Sequence, residues 1–362
     1  MTIRTACMGV AFLAMPMLAA AQTADFSGVR AFWRIAEQLH RNEDPTEVVW
    51  DSLFATPGYA ALDARERRRT ALTTGFRAAF MPSRTAERDS ILATNSWTAR
   101  VIRHVQALPA QRAALDAFMS RLRRDDIVGR AVTQAGTLLP AGTVKLYGRP
   151  PVAFIFFLPD GRGYPGLIVA DLERTRTKAD PVPFFAHEAT HFYYAQLSRA
   201  RRSVVADSGA AALRDLLTKL HEESLGDQFD KVDAIALDAK ARVRKYGADS
   251  AWLQYLTEYR SEYDSATVRL RQLDAMLLAA AERPSTLGPM SDSLSKSLPL
   301  EGRPLGMFIT RSIRRTLGDA RIAATVGDPH AWMLAYAEAA RRKDCDCPPL
   351  SQRSVALLQE KR

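Results

Sequence analysis

A chain of 362 residues, 47% of them hydrophobic, can bury a sizeable core, and three cysteines are too few for a disulfide scaffold. Its 50 basic and 40 acidic residues give a net charge of +10, spread as short clusters such as "RERRR" (65–69) and "RARR" (199–202) on segments with helical spacing. Clusters of this kind solvate helix faces, and with no nucleic-acid fold signature beside them, specific nucleic-acid binding is not expected.

The chain opens "MTIRTACMGVAFLAMPMLAAAQ", with one positive charge at Arg4, an apolar run from Ala6 to Leu18, and small residues Ala19-Ala20-Ala21. This is the pattern of a secretory signal peptide over 1–21, cleaved after Ala21, and the apolar run is too short for a membrane span. The mature chain is expected to begin at Gln22, to carry no transmembrane segment, and to be periplasmic or secreted. Cys7 precedes most of the apolar run, so it is misplaced for lipid attachment at the cleavage site.

Residues 22–140 read as a helical N-terminal region. "FSGVRAFWRIAEQLHRN" puts Val29, Phe32, Trp33, Ile35, Ala36 and Leu39 on one stripe, and Asp44-Pro45 begins the next element. The chain breaks again at Pro57-Gly58, and amphipathic stretches follow at 63–81, 84–107 and 109–123, the last started by Pro109. At 152–158 the pattern changes to the continuous apolar run "VAFIFFL". "PDGRGYPG" is dense in turn formers, and "LIVADL" (167–172) is a second run. These predict a hairpin or two neighbouring strands, followed by a helix from about Pro183.

That helix carries "HEATH". Residues four apart share a helix face, so His187 and His191 can bind one ion while Glu188 faces an adjoining direction. Zinc in peptidases is held by two such imidazoles, with the intervening glutamate as general base. A third ligand is expected from "GAAALRDLLTKLHEESLGDQFD" (209–230), where His221, Glu222, Glu223 and Asp227 are candidates. Leu213, Leu216, Leu217 and Leu220 form the apolar face. At about 100° per residue Glu223 continues their ridge and Glu222 points nearly opposite, with His221 at the edge as an alternative ligand. Asp227, one turn beyond Glu223, is placed to orient the ligand or a histidine. Cys345 and Cys347 lie one residue apart, which predicts a tight ring if they bridge and leaves pairing with other chains open.

"HEATH" followed after 31 intervening residues by "ESLGD" resembles the gluzincin metallopeptidases of the thermolysin-like clan. The likeness covers 152–230 and extends more faintly to "GRPLGMFITRSIRRTLG" (302–318) and "DPHAWMLAYAEAA" (328–340), segments similar to bacterial zinc-dependent peptidases of uncharacterised function. The resemblance implies a mostly helical α+β fold with a small sheet before the His-Glu-x-x-His helix and a catalytic region over 141–345, leaving 346–362 as a tail. It implies Zn2+ held by His187, His191 and Glu223, Glu188 as general base, Asp227 behind the ligands, and a peptide or protein substrate that pairs with the sheet edge. The oxyanion donor such enzymes carry stays open among Tyr255, Tyr259, Tyr263, His330, Tyr336 and Arg303. A catalytically weak zinc- or peptide-binding module, or a metal-free helical interaction protein, are the alternative readings.

Overall fold

The computed structural model describes residues 24–201, 207–248 and 250–362. The expected signal peptide and its cleavage site lie outside the described residues. The rest is mostly helical with one small sheet, and among the described residues no helix is long and apolar enough to cross a membrane.

The first helix, Ser27–His40, buries Val29, Phe32, Trp33, Ile35, Ala36 and Leu39, the stripe its spacing predicts. Helices Glu47–Phe54 and Pro57–Glu66 follow, the second started by Pro57, whose missing N–H costs nothing in the first turn. The expected helices over 63–81 and 84–107 are each divided. Arg67 adopts a left-handed conformation that ends one helix before Arg69–Phe80 begins, and Ser96 caps a new helix, Trp97–Val105, after Thr85–Leu92 has closed. Helical spacing runs across both breaks, so periodicity alone did not reveal them.

Strands β1 (Val152–Ile155), β2 (Gly161–Tyr164) and β3 (Leu167–Asp171) form a sheet in the order β1-β3-β2. The two apolar runs pair in parallel, Val152 opposite Ile168. The segment of turn formers holds a third strand, antiparallel to β3 across the Pro165-Gly166 turn. β2 lies at the sheet edge and packs on the helix Val182–Ala200, here called the motif helix. That contact demands its glycines: a Cβ on Gly163 would lie 2.5 Å from the Cβ of His191 and closer still to the carbonyl oxygen of Glu188.

The motif helix packs along Ser208–Asp230, the acidic helix. Leu213, Leu216, Leu217 and Leu220 are all buried, as their spacing predicts. One continuous core runs from Phe26 through the sheet to Leu358. The N-terminal helices are part of it: Phe26 stacks on Phe154 with centroids 5.0 Å apart, and the buried Tyr59 hydroxyl donates to the Phe156 carbonyl at 2.7 Å. The end of the chain joins it too, through Leu357 and Leu358 of the helix Gln352–Glu360. Cys345 and Cys347 bridge each other, their Cα atoms 5.2 Å apart and within the ordinary range for a disulfide.

Candidate metal centre

Two long helices supply the site. His187 and His191 rise from one face of the motif helix, and their Nε2 atoms approach to 3.0 Å. Glu223, from the acidic helix, brings Oε2 to 3.8 Å from His187 Nε2 and 3.9 Å from His191 Nε2. Gly226 permits the two helices to close, since a Cβ there would sit 2.8 Å from the His187 ring.

The opposite nitrogen of each ring is taken. His187 Nδ1 lies 3.0 Å from Asp230 Oδ1 and 3.6 Å from Asp227 Oδ1, and His191 Nδ1 lies 3.0 Å from Glu222 Oε1. If both Nδ1–H groups donate to these carboxylates, both Nε2 atoms present lone pairs to one another across 3.0 Å. Like lone pairs at that distance repel unless a proton or a metal ion lies between them. Glu223 Oε2 reinforces the demand, being a buried oxygen that accepts no well-aligned hydrogen bond and has Arg303 Nε, at 3.2 Å, as an ion-pair partner. Ligands about 2 Å from a tetrahedral ion sit about 3.3 Å from each other, so the three atoms are spaced to surround zinc.

The electrostatics agree. Burial works against charge on His191, but Glu223 and then Glu222 outweigh it and push its pKa to about 10. Burial would raise Glu223, yet His191, Arg303 and His187 hold it at about 2. The field that favours a proton among these carboxylates also favours a divalent cation. Glu188, buried and sharing no hydrogen bond with the two imidazoles, has its pKa raised chiefly by burial. Its carboxyl lies against the backbone of Gly161 in β2.

Behind His187 the acidic helix ends in a charged knot. Lys231 Nζ is 2.6 Å from Asp230 and 3.6 Å from Asp227. Burial opposes ionisation of Asp230, but Lys231 and His187 hold its carboxyl well below the usual range. Burial instead raises Asp227, whose Oδ2 accepts from the Tyr259 hydroxyl at 2.7 Å.

The acidic helix corrects one expectation and adds a residue. Glu222 does not face away: its side chain bends back to His191. Asp227 lies beside His187, and Asp230, not singled out in the sequence, is closer still. The 100° wheel places Cβ atoms well but not the ends of side chains with three rotatable bonds. Asp230 could have been found as the residue two turns beyond Glu223. His221 turns into the core instead, stacked on Trp332 with centroids 4.9 Å apart, and burial drops its pKa to about 3. Among the described residues two other clusters could hold a cation, His187 with Asp227 and Asp230, and His104 with Asp171 and Glu173. The first shares His187. In the second, Asp171 is saturated by His104 and by the backbone N–H groups of Phe157 and Arg174.

The oxyanion candidates separate as well. Tyr259 is committed to Asp227, and Tyr336 donates to the Pro348 carbonyl. Tyr263 packs edge-on against Phe308. His330 lines a separate cavity with Arg201 and Arg362. Arg303 lies beside the site, its Nε 3.2 Å from Glu223 Oε2. It is delivered by a turn in which Leu300, Glu301 and Gly302 all have positive φ. Tyr255 lies among Lys231, Asp227 and Arg303, its buried hydroxyl turned towards the Arg303 guanidinium.

No curated protein and no solved structure matches the chain. The family described as "Putative zinc dependent peptidase (DUF5700)" matches residues 50–344, a span that begins within the second helix, leaves out the first, and takes in the sheet and every residue of the centre. The chain belongs to this family.

Proposed function

We propose that the protein hydrolyses peptide bonds, with zinc held by His187, His191 and Glu223 and with Glu188 as general base. The observation that carries this reading is the convergence of two imidazole nitrogens and the Glu223 carboxylate, while other carboxylates hold both outer nitrogens. Zinc in such a set supplies Lewis acidity, polarising the scissile carbonyl and making water more acidic. Glu188 takes the proton of the attacking water and passes it to the leaving amine, a task suited to a carboxyl whose pKa is raised. Glu222 and Asp230 fix the tautomers of the two imidazoles. Arg303, beside Glu223, and Tyr255, beside Arg303, are the donors proposed to meet the negative charge that develops on the carbonyl oxygen.

The architecture supports a gluzincin-like arrangement, in which the edge strand β2 offers its free backbone side to an extended peptide. Export is proposed on the N-terminal sequence, and the Cys345–Cys347 bridge suits an oxidising compartment. The deciding experiment is Glu188→Gln: zinc content stays at the wild-type level and hydrolysis of a broad peptide library falls on the order of 100-fold or more. Unchanged hydrolysis with zinc retained would remove Glu188 from the mechanism.

A further inference from the structure

One wall beside the centre carries two cations that form no ion pair among the described residues, although Asp230 and Glu188 act on Lys178 from further off. Arg174 and Lys178 stand four residues apart, and both lie over the same indole, the Arg174 guanidinium 5.0 Å and Lys178 Nζ 5.3 Å from Trp252. Among the described residues neither has a carboxylate within 4.0 Å. Lys178 is half-buried, and its ammonium also sits 4.8 Å above the ring of Phe184. Phe184 lies against Gly161 of the edge strand at the point where the Glu188 carboxyl also arrives. On the other side, Trp252 meets Lys231 Nζ at 5.2 Å and stacks on Tyr255 with centroids 5.2 Å apart. The paired cations therefore flank the general base on one side and the His187–Asp230–Lys231 chain on the other.

Such an arrangement costs stability in the free protein. Like charges gathered over one indole repel, and a cation on an aromatic face recovers only about 0.5–2 kcal/mol. Burial, followed by the charge of Arg174, pulls the Lys178 pKa to about 8. The nearest anions are engaged elsewhere, Asp230 with His187 and Lys231, and Glu188 as the base.

We propose that Arg174 and Lys178, aligned over Trp252, form a subsite for a carboxylate of the peptide substrate, either an acidic side chain near the cleaved bond or the free C terminus. This rests on the peptidase reading above and specifies its substrate class. Aromatic rings orient the two cations, and the incoming carboxylate supplies the missing counter-charge.

The test uses zinc-loaded full-length protein and peptide pairs that differ only by Glu or Gln at successive positions, each with a free or an amidated C terminus. Wild type is expected to favour one charged member by roughly tenfold in kcat/KM at low salt. Lys178→Met brings that ratio towards one, and Lys178→Glu inverts it; Arg174→Gln repeats the test should either fail to fold. Preference confined to a Glu position assigns the side chain, and preference for the free over the amidated end assigns the terminus. A second arm reads binding without turnover, by tryptophan fluorescence of the Glu188→Gln protein with the same pairs. Preferential binding in that arm with no cleavage by wild type would sink the peptidase reading and keep the subsite. Cleavage or binding with equal treatment of every charged and neutral pair would overturn the subsite.

Discussion

Both imidazoles of the centre are gripped from behind by carboxylates, Glu222 on His191 and Asp230 on His187. Losing either grip frees a ring to rotate and to change tautomer. Glu222→Ala and Asp230→Ala should each weaken zinc by about 10- to 100-fold, measured by competition with a chromophoric chelator. Glu223→Ala should lose most of the metal, since it removes a ligand. Retention of wild-type affinity in Glu222→Ala would show that its contact with His191 is incidental. A second histidine carries a pH signature. His104 Nε2 is 2.8 Å from the buried Asp171, and although burial lowers its pKa, Asp171 outweighs this and the net shift is upward. A raised histidine contributes stability that is complete below its unfolded pKa of about 6.5 and is lost as pH rises through the folded value. Denaturant midpoints of wild type minus His104→Gln should therefore shrink as pH rises above about 6.5. Legible in the sequence was the meeting of His187, His191 and Glu223, which depends on backbone position. The grips depend on where flexible side chains end, and so Glu222 was misread and Asp230 missed.

Among the elements, β2 explains why a strand hid among turn formers. Its sequence Gly-Arg-Gly-Tyr has no apolar alternation because the face towards the motif helix has room for hydrogen atoms alone. β1 and β3, buried on both faces, showed themselves as unbroken apolar runs. Gly163→Ala should force β2 away from Glu188 and His191, costing about 1–3 kcal/mol and lowering zinc affinity together. Thermal melts with and without chelator would check it, and an unchanged melt would mean the strand moves freely. The motif and acidic helices were readable from spacing and caps because each is long and has one leucine- or aromatic-rich face. The shorter N-terminal helices were legible as helix but not in their breaks, which Arg67 and Ser96 impose locally.

At the scale of the molecule, the shared core implies that the residues before the sheet are structural partners of the centre. Phe26, Tyr59 and His104 all anchor on the sheet or its end. A fragment beginning at residue 141 should lack a cooperative thermal transition, whereas calorimetry of the full chain should show one; a sharp transition in the fragment would establish an independent catalytic unit. Global stability also meets the centre at the turn that delivers Arg303. Leu300 and Glu301 hold left-handed conformations that cost side-chain-bearing residues about 1–2 kcal/mol each. Glycine at 301 would recover part of that energy, so laboratory selection for heat resistance alone should find this turn early. The same change would let the guanidinium wander from Glu223, and lineages hardened in this way should drift towards durable, sluggish catalysts.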